Sequence, residues 1–379
     1  MPKTAIIPKS SLTNADLAEL LARQSETAQM PAQKALRRAS RRALFWSEEA
    51  ADLLKQGREL TELTAVGPYL KKLIERWIED PPAIPERPAI RHGFLTLTEA
   101  RAILSGKPSW LRGIKGDLQM HTNWSDGEGT IEEMANAAVA RKYEYIAITD
   151  HAKGLKIAGG IDEKQVRRQA VEIETTNEKL RADGHEFSVL HSIELNLNPC
   201  GEGDMDERCL GELDLVLGCF HSSLRIKEDQ TERYLAALRN PSIQILGHPR
   251  GRIYNYRLGL TADWSRVFEC AAQLDKAVEI DGYPDRQDLN VNLLRLAKEA
   301  GCRISLGTDS HGPTQLGFME YSAAAALKAG IPRSRILNFM STEEVTSWAE
   351  SVRSGRKVNA PFISARRAPK NSLRPTICE

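Results

Sequence analysis

The stretch Gly116-Asp117-Leu118-Gln119-Met120-His121-Thr122-Asn123-Trp124-Ser125-Asp126-Gly127 decides how this chain is read. A short apolar strand ends in a histidine, and a glycine-bounded turn then brings an aspartate five residues later. Four segments repeat the arrangement: Ile146 to His151, Leu215 to His221, Ile243 to His248 and Ile304 to His311. Another, Val189 to Glu194, ends in a carboxylate. Five of the eight histidines thus stand at the C-terminal ends of apolar, strand-like runs. Such placement is expected of ligands on the active rim of a parallel barrel. The mix of imidazole and carboxylate suits zinc, manganese or iron better than calcium.

Outward from that stretch, strand and helix alternate from Gly113 onward. The pattern predicts strands near 117–121, 145–150, 187–193, 213–220, 243–247, 277–281 and 303–308. It predicts helices near 130–142, 162–182, 229–239, 263–275, 288–300 and 315–329. Thr130 with Glu133 makes a capping box, and Gly301 follows the helix 288–300 as a C-terminal cap should. Repeated alternation predicts right-handed βαβ crossovers and an α/β parallel barrel. Seven strands are legible, one short of the standard eight. A terminal helix is expected over 334–353, and Ala365 to Arg374 reads as a basic, disordered tail.

Upstream, residues 1–12 read as frayed and 14–102 as helical, with Asn14 a plausible N-cap. Lys34 to Phe45 is a basic amphipathic helix, and a charge run of this kind reads as a solvated face. In Leu60 to Ile74 a Val66-Gly67-Pro68 turn opens a helix. The stretch 61–79 is open to two readings, an ordinary αα-hairpin or a helix-hairpin-helix in which Gly67, Lys71 and Lys72 contact a DNA phosphate. The Pro-rich stretch 80–90 looks like a semi-rigid linker. The expected organisation is a small helical domain over 1–105, a barrel over 113–345, and a helix end with tail over 346–379.

The chain has 379 residues, 27% of them charged, and a formal charge of +1. The whole-molecule field therefore does not select a nucleic acid, and such binding must come from local patches. Six scattered cysteines without a CxxC pair, and no secretory leader, read as reduced thiols of a cytoplasmic protein. No apolar run approaches the roughly 18 residues of a membrane span.

Gln119-Met120-His121, Thr149-Asp150-His151, Ser192-Ile193-Glu194, His221-Ser222-Ser223, Gly247-His248-Pro249 and Asp309-Ser310-His311 resemble, in order, the motifs of the PHP (polymerase and histidinol phosphatase) family. Gly116 to Gly127 and Leu155 to Asp162 look like the PHP domain of bacterial family-X DNA polymerases, here with no polymerase palm before residue 113. The resemblance implies a distorted seven-stranded TIM-like barrel holding two or three divalent metals, Zn, Mn or Fe. It places the ligands on His121, Asp126, His151, Glu194, His221, His248, Asp309 and His311. Gln119 stands where the family commonly has His, and is a weak ligand at most. The family pattern has Glu194 bridging two metals, with His121 and Asp309 on one and His221 and His248 on the other. Asp126, His151 and His311 belong to a third.

The reaction implied is hydrolysis of a phosphate ester by metal-activated water, with Glu194, His248 and Asp309 as catalytic residues and Asp309 or a metal-bound water taking the proton. Asp150 is expected to orient the ligand next to it. Arg250, Arg252 and Arg257 can fork onto phosphate oxygens, and Tyr254 and Tyr256 can stack on a base; the alternative is a surface loop with solvated arginines. Lys153 and Lys156 are similar candidates, and Asp281, Tyr283 and Arg286 complete the rim. The expected substrate is a nucleic-acid phosphodiester, cut by a 3′–5′ exonuclease or an abasic-site or 3′-end processing activity. The rivals are a small-molecule phosphomonoesterase and a non-catalytic DNA-binding scaffold.

Overall fold

The computed structural model describes residues 12–355. Helices α1 (Asn14–Thr27), α2 (Ala32–Arg42), α3 (Ala50–Lys55) and α4 (Pro68–Glu79) come first, followed by α5 (Leu97–Ser105) and α6 (Ser109–Gly113). Seven parallel strands then alternate with helices: β1 (Gly116–Asp117), α7 (Ile131–Ala140), β2 (Tyr145–Ile148), α8 (Glu163–Ala182), β3 (Ser188–Asn196), α9 (Glu207–Gly211) and β4 (Leu215–Cys219). The series continues with α10 (Thr231–Arg239), β5 (Ile245–Leu246), α11 (Trp264–Gln273), β6 (Ala277–Asp281), α12 (Val291–Ala300), β7 (Arg303–Gly307), α13 (Met319–Ala329) and α14 (Thr342–Arg353). Each strand pairs with the next in sequence order, β1 to β7. The protein is thus a seven-stranded α/β barrel of TIM-like form. No described helix is long and apolar enough to cross a membrane.

Closure of the barrel takes two devices. At the C-terminal mouth the continuation of β1 meets that of β7 through the bridge Met120–Ser310, where His121 N donates to Ser310 O at 2.7 Å and Asp309 N to Gln119 O at 3.1 Å. At the other end a side chain substitutes for the missing strand. Asn338 Nδ2 donates to Gly116 O and to Leu306 O, each at 2.8 Å, while its Oδ1 accepts from Leu306 N at 2.7 Å. The helix expected over 334–353 therefore starts later, at Thr342, after two 3-10 turns (Arg333–Arg335, Leu337–Phe339) that aim Asn338 into the seam. α14 then stoppers the barrel: Val345, Trp348, Ala349 and Val352 share a core with strand-start residues such as Tyr145 and Leu215. Removing a fully buried Trp costs about 3–5 kcal/mol, so α14 is part of the barrel.

The helical region has its own core, from Leu12 to Trp77, which also takes in Phe94 and the barrel-loop residue Tyr254. Leu95, Ala100 and Leu104 belong instead to the layer between strands and outer helices. The two cores therefore divide near residue 94, and α5 goes with the barrel, whereas residue 105 was the expected boundary. Leu60–Glu62 is a single 3-10 turn, so the Gly67 turn joins a 3-10 turn to α4 and is not flanked by two helical runs. The readings of residues 1–11 as frayed and of 365–374 as a disordered tail lie outside the described residues.

Arg91, 4% exposed, fastens the helical region. It bonds Glu19 through two nitrogens at 2.8 and 2.9 Å, Glu26 at 2.9 Å, and Asn255 of a barrel loop at 3.0 Å. Arg91→Met would leave the Glu19 carboxylate, 1% exposed, without its partner. The expected loss is about 3–5 kcal/mol, the usual cost of stranding one buried charge, read from urea unfolding; a loss below about 1 kcal/mol would contradict the anchoring role.

Candidate metal centre

All eight proposed ligands converge at the C-terminal mouth of the barrel. Glu194, fully buried at the C-terminal half of β3, stands at the centre. Its Oε1 lies 2.7 Å from His221 Nε2 and 2.8 Å from His248 Nε2; its Oε2 lies 3.2 Å from His121 Nε2. His121 Nε2 also meets Asp309 Oδ1 at 3.0 Å, although the two are 188 residues apart. His151 stacks on His121 with ring centroids 4.2 Å apart. Asp126 Oδ1 stands 3.5 Å from Nε2 of both His151 and His311. Four overlapping donor sets result, each with ligand atoms within 4.8 Å of one another: His121/His151/His311, His151/Glu194/His221, His121/Glu194/Asp309 and Glu194/Cys219/His248.

These donors fit divalent cations. The 3.5 Å separations at Asp126 are long for hydrogen bonds. They lie near the roughly 3.4 Å that separates two ligand atoms about 2.1 Å from one tetrahedral ion. His121 Nδ1 and His151 Nδ1 are buried without a hydrogen-bond partner among the described residues. His221 Nδ1 is placed 3.1 Å from Asn196 Oδ1, which sets the ring so that Nε2 faces the cluster. The backbone is also constrained: His248 and Asp309 adopt φ of 21° and 51°, a region non-glycine residues seldom occupy. Their amides are fixed by Glu279 Oε2 at 2.6 Å and by Gln119 O.

Charge in so buried a place must be paired. Burial opposes a charged His121, yet Asp309 and Glu194 hold its value well above that of a free imidazole. Glu194 is held well below the usual carboxylate range, against its burial, by the imidazoles around it. His248 is pushed up to about 9 by Glu194, again against burial. Burial and the charge on His121 push His151 down to about 3. Behind this layer, burial raises Glu279 and Asp281 well above the carboxylate range.

Several sequence expectations change in the folded chain. Gln119 donates through Nε2 to Glu194 Oε2 at 3.0 Å and so orients the central carboxylate, while its Oε1 is buried without a hydrogen-bond partner among the described residues. Both oxygens of Asp309 are engaged, one by His121 and the other by Arg286, and against its burial Arg286 holds it well below the usual range; it is a poor proton acceptor. Asp150 accepts from Thr122 N at 2.8 Å and from Thr122 Oγ1 at 2.6 Å, which fastens the turn carrying His121 and Asp126.

The loop arginines are occupied as well. Arg252 is 3% exposed, lies over Phe94, and donates to carbonyls of Arg286, His92 and Gly93. Arg250 donates to Leu258 O and Leu260 O, and Arg257 to Gly251 O. Tyr254 is buried against Phe94, so only Tyr256 of the two tyrosines is open to a base. Lys156 is exposed on the loop after β2, and Lys153 pairs with Glu163. Gly67 caps α4, Lys71 is paired with Glu59 and Glu75, and Lys72 is exposed; none of the three lines the cavity at the cluster.

That cavity, about 700 Å³, is bounded on the barrel side by Asp126, His311, Tyr283 and Arg286. Its other wall is α2, with Lys34, Arg37, Arg38, Arg41 and Arg42. The solvated-face reading of this helix holds for Lys34, Arg37, Arg38 and Arg41, which are exposed; that the face borders the cavity was not legible, although five cations without one acid in eleven residues were a visible signal. Cys219, buried beside Glu194 and His248, was also missed because it reads as part of an apolar strand.

Residues 117–284 match the PHP domain family. Over those 168 of its 379 residues the chain is similar to a PHP domain. It is similar to a DNA polymerase/3′–5′ exonuclease PolX of Bacillus subtilis, 36% identical over 236 residues, which is 62% of this chain and 41% of that protein. It is also similar to a probable phosphatase of Photobacterium profundum, 28% identical over 232 residues, 58% of this chain and 88% of that one. A crystal structure of histidinol phosphate phosphatase from Lactococcus lactis, complexed with zinc, L-histidinol and phosphate, aligns with a TM-score of 0.42 and 17% identity, covering 58% of this chain and 95% of that one.

The cluster's protonation pattern has a measurable consequence without metal. A histidine raised from 6.5 to about 9 contributes stability that is complete below 6.5 and is lost as the pH climbs through about 9. In excess chelator the urea midpoint should therefore be higher at pH 6.5 than at pH 9.5, and should flatten in a His248→Ala variant. Metal ligation displaces the same protons, so adding Mn²⁺ at pH 7 in weak buffer should release acid; no release would contradict the ligand assignment.

Proposed function

We propose that this chain is a metal-dependent phosphoesterase that hydrolyses nucleic-acid phosphodiesters, at a strand 3′ end or an abasic site. The observation that carries the reaction class is the convergence of five imidazoles and three carboxylates on Glu194 at the open end of the barrel. A phosphodiester is anionic, so hydrolysis needs its charge neutralised and a nucleophile available near neutral pH. Bound divalent cations supply both, lowering water's pKa from 15.7 to about 7 in favourable sites.

The chain's own residues have distinct duties in that reading. His121 with Asp309, His221 with His248, and Asp126 with His151 and His311 would hold the cations, and Glu194 reaches His221 and His248 through one oxygen and His121 through the other. Arg286 borders the cavity and is fixed by Asp309, so it presents positive charge to the ester without needing to reorganise. No side chain of the cluster is a nucleophile of the serine or cysteine kind poised by a base; Cys219 is buried, and burial pushes its thiol well above the usual value.

Support for nucleic acid comes from the Bacillus subtilis relative, named a 3′–5′ exonuclease, and from the basic wall of the cavity. A second reading, a phosphomonoesterase for small molecules, is favoured by the relatives named probable phosphatases, whose length this chain nearly spans. Protein with Mn²⁺ is offered end-labelled single-stranded DNA, abasic duplex and p-nitrophenyl phosphate. Progressive shortening of the DNA, or cleavage at the abasic site, is expected. Turnover of the monoester alone would move the assignment to the phosphatase. His248→Ala should lower kcat by more than about 100-fold, the upper end of what even a ligand-orienting group contributes, with the unfolding transition retained. Undiminished activity in that variant would remove His248 from the site.

A further inference from the structure

α2 places five cations on one wall of the cavity that opens onto the metal centre. At 3.6 residues per turn, Lys34, Arg37, Arg38 and Arg41 fall within one arc of about 100°, with Arg42 at its edge. Leu36, Ala39 and Ser40, on the opposite arc, are fully buried. Three like-charge pairs at i,i+4 spacing (34/38, 37/41, 38/42) oppose the helix. Burial of the apolar stripe and the bond from Arg41 Nε to the rim residue Asp285, at 2.9 Å, hold it in place nonetheless. Many basic groups elsewhere are neutralised, as Arg58 is by Glu48 and Glu62 and Arg101 by Glu320. Lys34, Arg37 and Arg38, by contrast, meet no carboxylate among the described residues, and Arg42 lies over the Phe45 ring, 4.9 Å from its centroid.

We infer that α2 is a subsite for the non-reacting phosphates of a nucleic-acid strand whose reacting phosphate lies at Asp126 and His311. The inference rests on the phosphoesterase reading above and goes beyond it in naming what grips the substrate. Lys34 to Arg42 rises about 12 Å along the helix axis. One phosphate is satisfied by one or two guanidinium forks, so an array of this length matches successive phosphates and exceeds the need of a monoester. Phe45 and Tyr283 line the same space among the cations, with Arg42 over the one ring and Arg286 over the other. A basic groove with interleaved aromatics is the usual construction for single-stranded nucleic acid. The arginines after β5 do not do this work, because their guanidinium groups are bound to backbone carbonyls. With a formal charge of only +1 on the whole chain, attraction for a polyanion has to come from local patches, of which this wall is one.

The test uses the full-length protein and a fluorescein-labelled single-stranded oligonucleotide, with anisotropy read in chelator over a salt series. Arg37→Ala/Arg38→Ala removes two exposed groups that support no packing. The expected result is a Kd about tenfold higher or more, and a slope of log K against log salt shallower by about 1.4, since each lost single-strand phosphate contact removes about 0.7. Arg37→Lys/Arg38→Lys should restore most of the slope, which separates lost charge from a disturbed helix. In Mn²⁺, KM for the oligonucleotide should rise in the Ala variant by the same factor as Kd.

Unchanged affinity and slope in the Ala variant would overturn the subsite, as would a larger loss from Lys72→Ala on α4. Manganese-dependent turnover of p-nitrophenyl phosphate by the unaltered protein reads the metal centre separately. No turnover of any ester would sink the phosphoesterase reading itself. Turnover combined with oligonucleotide binding indifferent to Arg37 and Arg38 would sink only the role of α2.

Discussion

Seven parallel strands close on themselves here through little more than the hydrogen bonds joining Gln119–His121 to Asp309–Ser310. That seam is the constraint on which the site depends. It brings the first and last strand ends side by side, so that His121 meets Asp309 and the turn bearing Asp126 faces His311. An eighth strand between them would separate these groups by a further strand spacing of about 4.8 Å. The same gap is closed at the opposite end by the Asn338 amide, which satisfies backbone groups of both neighbouring strands. Side-chain bonding at one end thus permits direct strand contact at the other.

Around Glu194 the electrostatics follow from burial. A lone carboxylate without water is costly, and here it is ringed by imidazole nitrogens and by the Gln119 amide. Without metal, protons on His121 and His248 balance Glu194 and Asp309. With metal, the same lone pairs would be the ligand set, so metal affinity and protonation would be two sides of one equilibrium. Arg286 completes the balance on the cavity side by neutralising the outer oxygen of Asp309.

The helical region bears on this centre through contacts at the barrel rim. Arg91 bonds Asn255, Arg41 bonds Asp285, and Phe94 packs on Tyr254, so α2 is held over the mouth and not tethered at a distance. In the proposed function, chemistry and recognition fall to different parts of one chain. The strand ends gather the metal-binding groups, and a helix outside the barrel supplies cationic length.

Much of this was legible in the residues. The seven strands show as apolar runs because they are buried on both faces, and the ligand-type residues show because they interrupt those runs at their C-terminal ends. Local patterns of that kind are encoded by neighbours in sequence. What the tertiary structure alone decided is the fate of chemically identical groups. Arg252 and Arg37 are both arginines in basic stretches, yet one meets the carbonyls of residues 92, 93 and 286 and becomes structural, while the other meets no acid among the described residues and faces the cavity. Gln119 became a donor because its amide faces Glu194, 75 residues away. The chain's own periodicity places a side chain on a face; only the packing of distant segments determines what that face meets, and hence whether its charge is spent or left available.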